Sequence, residues 1–287
     1  MTQLTVRKLD IDLSQGFGRH WHRNAFLTQY FNALSMSFPV GEQSFIDAVR
    51  DAAKLLPTAA DGSPLPEHAA LQADVAQFIG QEATHRHIHA QYNAHLDEQG
   101  LVNRWQDWAN KRIAFGRQRN MHPLHWLAIT VAYEHCTAVL ADRLLRHPEW
   151  LDGAEPAMQT LWRWHAAEET EHRSVAFDLY QALGGNHTWR VRWYVYALVL
   201  FTLDAARQTV LNLWRDGTLF KPSTSLDALR FFLGRKGAVW LCAGPLAAYF
   251  RRDFHPDQEI EPPAKPGAHT LAAEWLKANT ARFRVVR

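Results

Sequence analysis

Two Glu-x-x-His motifs, Glu82–His85 and Glu169–His172, constrain this chain more than any other feature. Each follows an isolated glutamate on an earlier expected helix, Glu42 and Glu134. Residues three apart in an α-helix lie about 60° apart around the axis and one turn along it. Each motif therefore turns a carboxylate and an imidazole to the same side. Four helices contributing one set each supply four carboxylates and two imidazoles, enough to hold two divalent metal ions in the core of a four-helix bundle. Two dications offset the mutual repulsion of four buried carboxylates.

His165 extends the second motif, because His165-x-x-x-Glu169-x-x-His172 puts three donors on one face within about two turns. The expected ligand set is thus Glu42, Glu82, His85, Glu134, His165, Glu169 and His172. Glu42 and Glu134, each alone on its helix, suit bridging positions. Glu168, four before His172, is the competing register, and Glu171 is expected to face solvent or an adjacent helix. His89, seven after Glu82, lies on the ligand face as a supporting group, a pocket residue or a packed histidine. His87 and His135 are expected to point elsewhere. Ligating imidazoles normally donate their other N–H to a carboxylate or carbonyl, and Asp74, Asp142 and Asp178 are candidates for that role. Oxygen and imidazole donors suit two iron ions, with manganese or zinc as alternatives.

The 31 basic and 29 acidic residues nearly balance, which argues against a nucleic-acid stripe or a polybasic membrane anchor. The two cysteines, Cys136 and Cys242, form no CxxC motif, so a thiolate site or disulfide framework is not expected and a reducing cytoplasm fits. The start of the chain lacks the apolar stretch of a secretory signal. The 12 tryptophans point to large buried surfaces.

Helical periodicity runs throughout without convincing strand alternation. After a loose arm (1–22), the expected helices cover 25–38, stopped by Pro39, then 42–56, 67–99, a short one within 101–121, 122–146 and 157–183. A second section follows, with helices at 189–214 and 226–250, the latter interrupted at 235–236 and 244–245. An extended linker (259–267) and a last helix (268–281) complete it. The apolar run at 195–203 is too short to span a bilayer. Residues 1–187 are expected to form the arm and bundle, and 188–287 an apolar helical extension packed on it.

Four segments carry a family resemblance: SFPVGEQSF (37–45), QEATHRHIHAQYN (81–93), AYEHCTAVLADRLL (132–145) and LWRWHAAEETEHRSVAFDLY (161–180). They resemble the ferritin-like di-metal carboxylate superfamily and, more closely, a bacterial family of predicted metal-dependent hydrolases. The resemblance covers roughly residues 25–215 and implies an all-α, ferritin-like bundle with additional C-terminal helices. The His165/Glu169/His172 triplet is also similar to the last helix of di-iron arylamine N-oxygenases, which implies a ligand role for those three residues alone.

The favoured expectation is a di-iron enzyme that activates dioxygen to oxidise or oxygenate a small apolar or aromatic substrate, a reading compatible with an external electron donor. A two-metal hydrolase using a bridging hydroxide is the alternative, and metal storage or peroxide detoxification ranks third. A homodimer is compatible with these readings.

Overall fold

A computed structural model describes residues 4–14, 16–260 and 270–286. The chain is an all-α helical bundle. Its helices are α1 (Ala25–Ala53), α2 (Pro66–Glu98), α3 (Arg104–Gln118), α4 (Pro123–Arg146), α5 (Pro156–His172), α6 (Val175–Ala182) and α7 (His187–Arg215). Then follow α8 (Pro222–Leu233), α9 (Ala238–Ala248), the single turn α10 (Pro256–Glu259) and α11 (Leu271–Ala278). Proline at the first position starts α2, α4, α5 and α8, where a missing N–H costs nothing. Gly100 (φ 83°) follows α2 in the left-handed conformation that ends helices. The expected linker falls mostly outside the described residues.

Pro39 does not divide α1. A mid-helix proline removes the hydrogen bond to the carbonyl four residues earlier and crowds it. Here Asn93 Nδ2, from α2, donates to that carbonyl, Ser35 O, at 3.0 Å. Asn103 Nδ2 donates to the next carbonyl, Met36 O, at 2.8 Å. Two side-chain amides thus replace what the proline disrupts, and α1 continues to carry Glu42 inward.

Three further elements differ from expectation. The helix expected over 157–183 breaks after His172, at Arg173–Ser174, into α5 and α6. Pro245 stays inside α9, so the 226–250 stretch divides only at 234–237. The N-terminal arm is not loose: β1 (Arg7–Leu9) pairs antiparallel with β2 (Phe283–Val285), with Lys8 opposite Arg284. That pairing joins the two ends of the chain, a long-range match that no local pattern announces.

α1 packs along α2, α5 lies on α4, and α7 crosses both α4 and α1. Trp21, Trp164, Tyr92 and Tyr194 are among the fully buried side chains. Trp189, Trp214 and Trp240 are exposed, so not every tryptophan serves the core. Among the described residues no helix is long and apolar enough to cross a membrane.

Candidate metal centre

The seven residues expected as ligands converge between α1, α2, α4 and α5, and all are buried. Three overlapping groups gather there: Glu42, His85 and His165; Glu82, His85 and Glu169; and Glu82, Glu134 and His172. Within each group the donor atoms lie within 4.8 Å of one another. His165 Nε2 is 3.1 Å from Glu169 Oε1, and His85 Nδ1 is 3.6 Å from the same oxygen. His172 Nε2 is 3.1 Å from Glu82 Oε1 and 3.4 Å from Glu134 Oε2. Adjacent donors around an ion with bonds of about 2.1 Å at right angles stand about 3.0 Å apart. Two of these four separations, both 3.1 Å, are close to that value.

Glu169 Oε1 lies within 3.1 to 3.8 Å of all three imidazoles. Glu82 and Glu169 each sit among donors of both motifs; Glu42, expected with Glu134 as a bridge, groups with His85 and His165, and Glu134 groups with Glu82 and His172. The reason is that α5 brings His165, Glu169 and His172 along one stripe, with Glu169 in its middle.

Both carboxylate oxygens of Glu42, Glu82 and Glu134 lack hydrogen-bond partners, as do Glu169 Oε2, His85 Nδ1 and His172 Nε2. Buried polar atoms are almost always paired, because leaving one unmet costs about 1–3 kcal/mol. Nine such atoms in one cluster, most of them on carboxylates, fit divalent cations as the missing partners.

The opposite ring nitrogen of each imidazole is engaged. His172 Nδ1 lies 3.0 Å from Gln81 Oε1. Gln81 Nε2 already donates to Thr5 O and Glu171 Oε2, so Oε1 is the acceptor and His172 Nδ1 carries the proton. His85 Nε2 lies 3.0 Å from Glu168 Oε2, whose other oxygen accepts from Arg7 Nη1 at 3.1 Å. His165 Nδ1 lies 2.8 Å from His89 Nε2, and His89 Nδ1 lies 2.9 Å from Ser35 Oγ. Ser35 Oγ donates to Asn93 Oδ1 at 2.8 Å, so it accepts from His89, which in turn accepts from His165. With Glu168 ionised and the three imidazoles neutral, each N–H points outward and each inward nitrogen keeps a lone pair for the cluster, as a metal ligand requires.

These partners differ from the expected ones. Asp142 pairs with Arg143 and Arg146, and Asp178 with His255, away from the centre. Asp74 contacts none of the three imidazoles, whose partners are those just named. Glu168 serves as the acceptor for His85, and Glu171 is bound by Arg7 and Gln81 at 2.7 and 2.9 Å. His135 donates toward Pro245 O and His87 meets Gln91, both away from the cluster. Sequence reasoning missed Gln81, Arg7, Ser35 and Asn93. One signal was present: Gln81 and Glu168 each stand immediately before a Glu-x-x-His motif, and each supports the histidine of the other motif.

Electrostatics follows from burial. Without metal, burial and neighbouring carboxylates push Glu42 well above the usual carboxylate range. Burial raises Glu82 to about 8 and Glu134 to about 7. Burial also opposes ionisation of Glu169, but the nearby His165 and His172 outweigh it and hold that carboxyl well below the usual range. His172 resists its own burial and is held well above the ordinary imidazole value by Glu134, Glu169 and Glu82. His85 is pushed well below that value by burial and by His165. Burial drives Glu168 upward while Arg7 opposes it, and a cation on His85 Nδ1 requires the carboxylate form as acceptor.

A cavity of about 390 Å³ between α1, α3, α4 and α7 reaches Glu42, with an aromatic and aliphatic wall that includes Phe38, Phe45, Trp126 and Trp193. A smaller space of about 50 Å³ touches His165 and Glu169. α7 thus helps to wall the space beside the cluster.

The family model described as predicted metal-dependent hydrolase matches residues 5–259. The chain belongs to this family. The match begins beside Arg7 and takes in all seven clustered residues and their partners. No curated protein and no solved structure is found to match.

Proposed function

We propose that the chain is a dinuclear metal enzyme whose ligands are Glu42, Glu82, His85, Glu134, His165, Glu169 and His172, and that it activates dioxygen against an apolar substrate. The observation that carries this reading is the donor set itself, three inward imidazole lone pairs and four carboxylates with unmet oxygens beside an apolar cavity. The set suits iron, manganese or zinc. Two iron ions bound there would supply two electrons to dioxygen, with an external donor restoring them. The residues of the chain would hold the pair from four helices, with Gln81, Glu168 and His89 orienting the imidazoles and the buried setting keeping bulk water out. The apolar wall of the cavity orients a substrate that offers little to hydrogen-bond.

A second reading, hydrolysis by a metal-bound hydroxide, is favoured by the family description, which names that reaction class. It requires stabilisation of a developing oxyanion and protonation of a leaving group. Near Glu42 the cavity offers the hydroxyls of Ser37, Ser44 and Tyr133 for such work.

One experiment separates the two. Metal-free protein is loaded anaerobically with Fe(II), and dioxygen is then admitted while absorbance and oxygen consumption are followed. A transient visible band with stoichiometric oxygen uptake supports oxidation. Absence of both, with zinc- or manganese-dependent cleavage of chromogenic esters, establishes hydrolysis instead. Fewer than two metal ions per chain overturns the dinuclear reading.

A further inference from the structure

Three apolar cavities meet at one side chain, Phe201 of α7. The chamber of about 390 Å³ beside Glu42 shares Phe38, Thr137 and Phe201 with the slot of about 50 Å³ beside His165 and Glu169. That slot shares Tyr30, Leu140 and Phe201 with a groove of about 570 Å³ between α4, α7, α8 and α9. Among the described residues Phe201 alone lines all three. A single partly buried ring thus borders all three spaces, next to the slot that reaches His165 and Glu169.

The linings are chemically distinct. The groove carries no charged side chain, and its polar groups are hydroxyls, such as those of Thr202, Thr209 and Thr224, and the thiols of Cys136 and Cys242. The charged residues of the chamber wall, besides Glu42, are Arg112 and Arg119. Arg112 is neutralised by Asp204. Arg119 lies over the exposed ring of Phe115, 4.9 Å from its centroid, and has no carboxylate partner among the described residues. A compact aromatic molecule would use the chamber alone, since either larger space already falls in the range of about 300–1,000 Å³ typical of ligand sites.

From these shared walls we infer that the substrate is an elongated, unbranched apolar chain with an anionic head. The head lies at Arg119, and the chain passes Glu42, crosses the Phe201 junction and ends in the groove. The atoms nearest the metal ligands are then internal to the chain rather than terminal. This assignment rests on the proposed metal-enzyme reading for its meaning as a substrate, but its test reads binding alone.

Decanoate, tetradecanoate and octadecanoate, with their methyl esters, compete for a fluorescent long-chain fatty acid bound to the full-length protein, metal-free and metal-loaded. The wild type should bind about fourfold more tightly per added methylene, the gain expected from burying each one. Phe201→Trp should end that gain at a shorter chain. Should Phe201→Trp fail to fold, Leu140→Phe narrows the same junction from α4. Arg119→Gln should weaken the acids and leave the esters unchanged. Equal binding of decanoate and octadecanoate, or an unchanged length profile in a folded junction variant, overturns the channel. Esters bound as tightly as acids by the wild type overturn the anionic head. A normal length profile in a protein that takes up no metal would refute the metal centre and leave the channel standing. A flat profile in a protein that binds two ions would do the reverse.

Discussion

At the scale of the residue, the centre is organised by reciprocity between two helices. Gln81 on α2 fixes His172 on α5, and Glu168 on α5 fixes His85 on α2. Successive residues on a helix are about 100° apart, so the residue before an inward glutamate faces sideways, toward the neighbouring helix. Outer partners of ligating imidazoles typically set metal affinity by about 10–100-fold. Gln81→Leu and Glu168→Gln should each weaken metal binding by about that factor with the fold intact, measured by competition with a chromophoric chelator. Unchanged affinity in both would show that the tautomers are fixed by something else. His165→Ala should remove an imidazole from the Glu42 end of the cluster and lower metal stoichiometry while the helical circular-dichroism signal is retained. If two ions still bind with wild-type affinity, His165 is not a ligand. The inward residues were legible because their spacing is local and periodic. The outward partners were not, because which helix faces which is a tertiary fact. Asp142 illustrates the difference, since this aspartate on the helix of Glu134 proved to serve Arg143 and Arg146.

At the scale of the element, α1 shows how a local rule yields to distant side chains. Pro39 is a strong stop signal, and the expectation of two helices followed from it. Asn93 and Asn103, far along the chain, supply the replacement donors. Asn93 also accepts from Ser35 Oγ, the group that orients His89 and through it His165. Helix continuity and imidazole orientation therefore share one residue. Asn93→Ala should destabilise the protein by about 1–3 kcal/mol, the cost of an unmet buried polar group. It should also weaken metal binding at the His165 end. Pro39→Ala restores the backbone N–H that Ser35 O lacks, so the double variant should recover part of the lost stability but not the metal affinity. A urea-denaturation double-mutant cycle checks this. Strict additivity would mean that Asn93 does not complete the helix. The break between α5 and α6 had no comparable signal, for neither Arg173 nor Ser174 is a helix breaker.

At the scale of the whole molecule, folding without metal gathers acidic groups that would rather be apart, and this makes stability depend on pH in a definite direction. Burial raises Glu82 from its ordinary 4.5 to about 8 and Glu134 to about 7, and Glu42 is raised as well. His172 is held above its ordinary 6.5. A group with a raised folded pKa binds its proton more tightly in the folded state. Its stabilising contribution is complete below the unfolded pKa and is lost as pH climbs through the folded one. His85 and His89 are lowered, mainly by burial, and act in the opposite sense, but their effect is complete by pH 6.5. Glu169 is lowered too, so its contribution is lost only on acidification below 4.5. Between pH 6.5 and about 8 the raised groups dominate, and metal-stripped protein should lose thermal stability steadily across that window. Divalent ions require the deprotonated carboxylates and neutral imidazoles. Their binding should therefore release protons, and the stabilisation they give should grow over the same pH range. Melting curves with and without metal, and calorimetric titrations in buffers of different ionisation enthalpy, measure both effects. A metal-free melting temperature that stays level or rises from pH 6.5 to 8, with no proton release on loading, would mean that these carboxylates do not share one buried site.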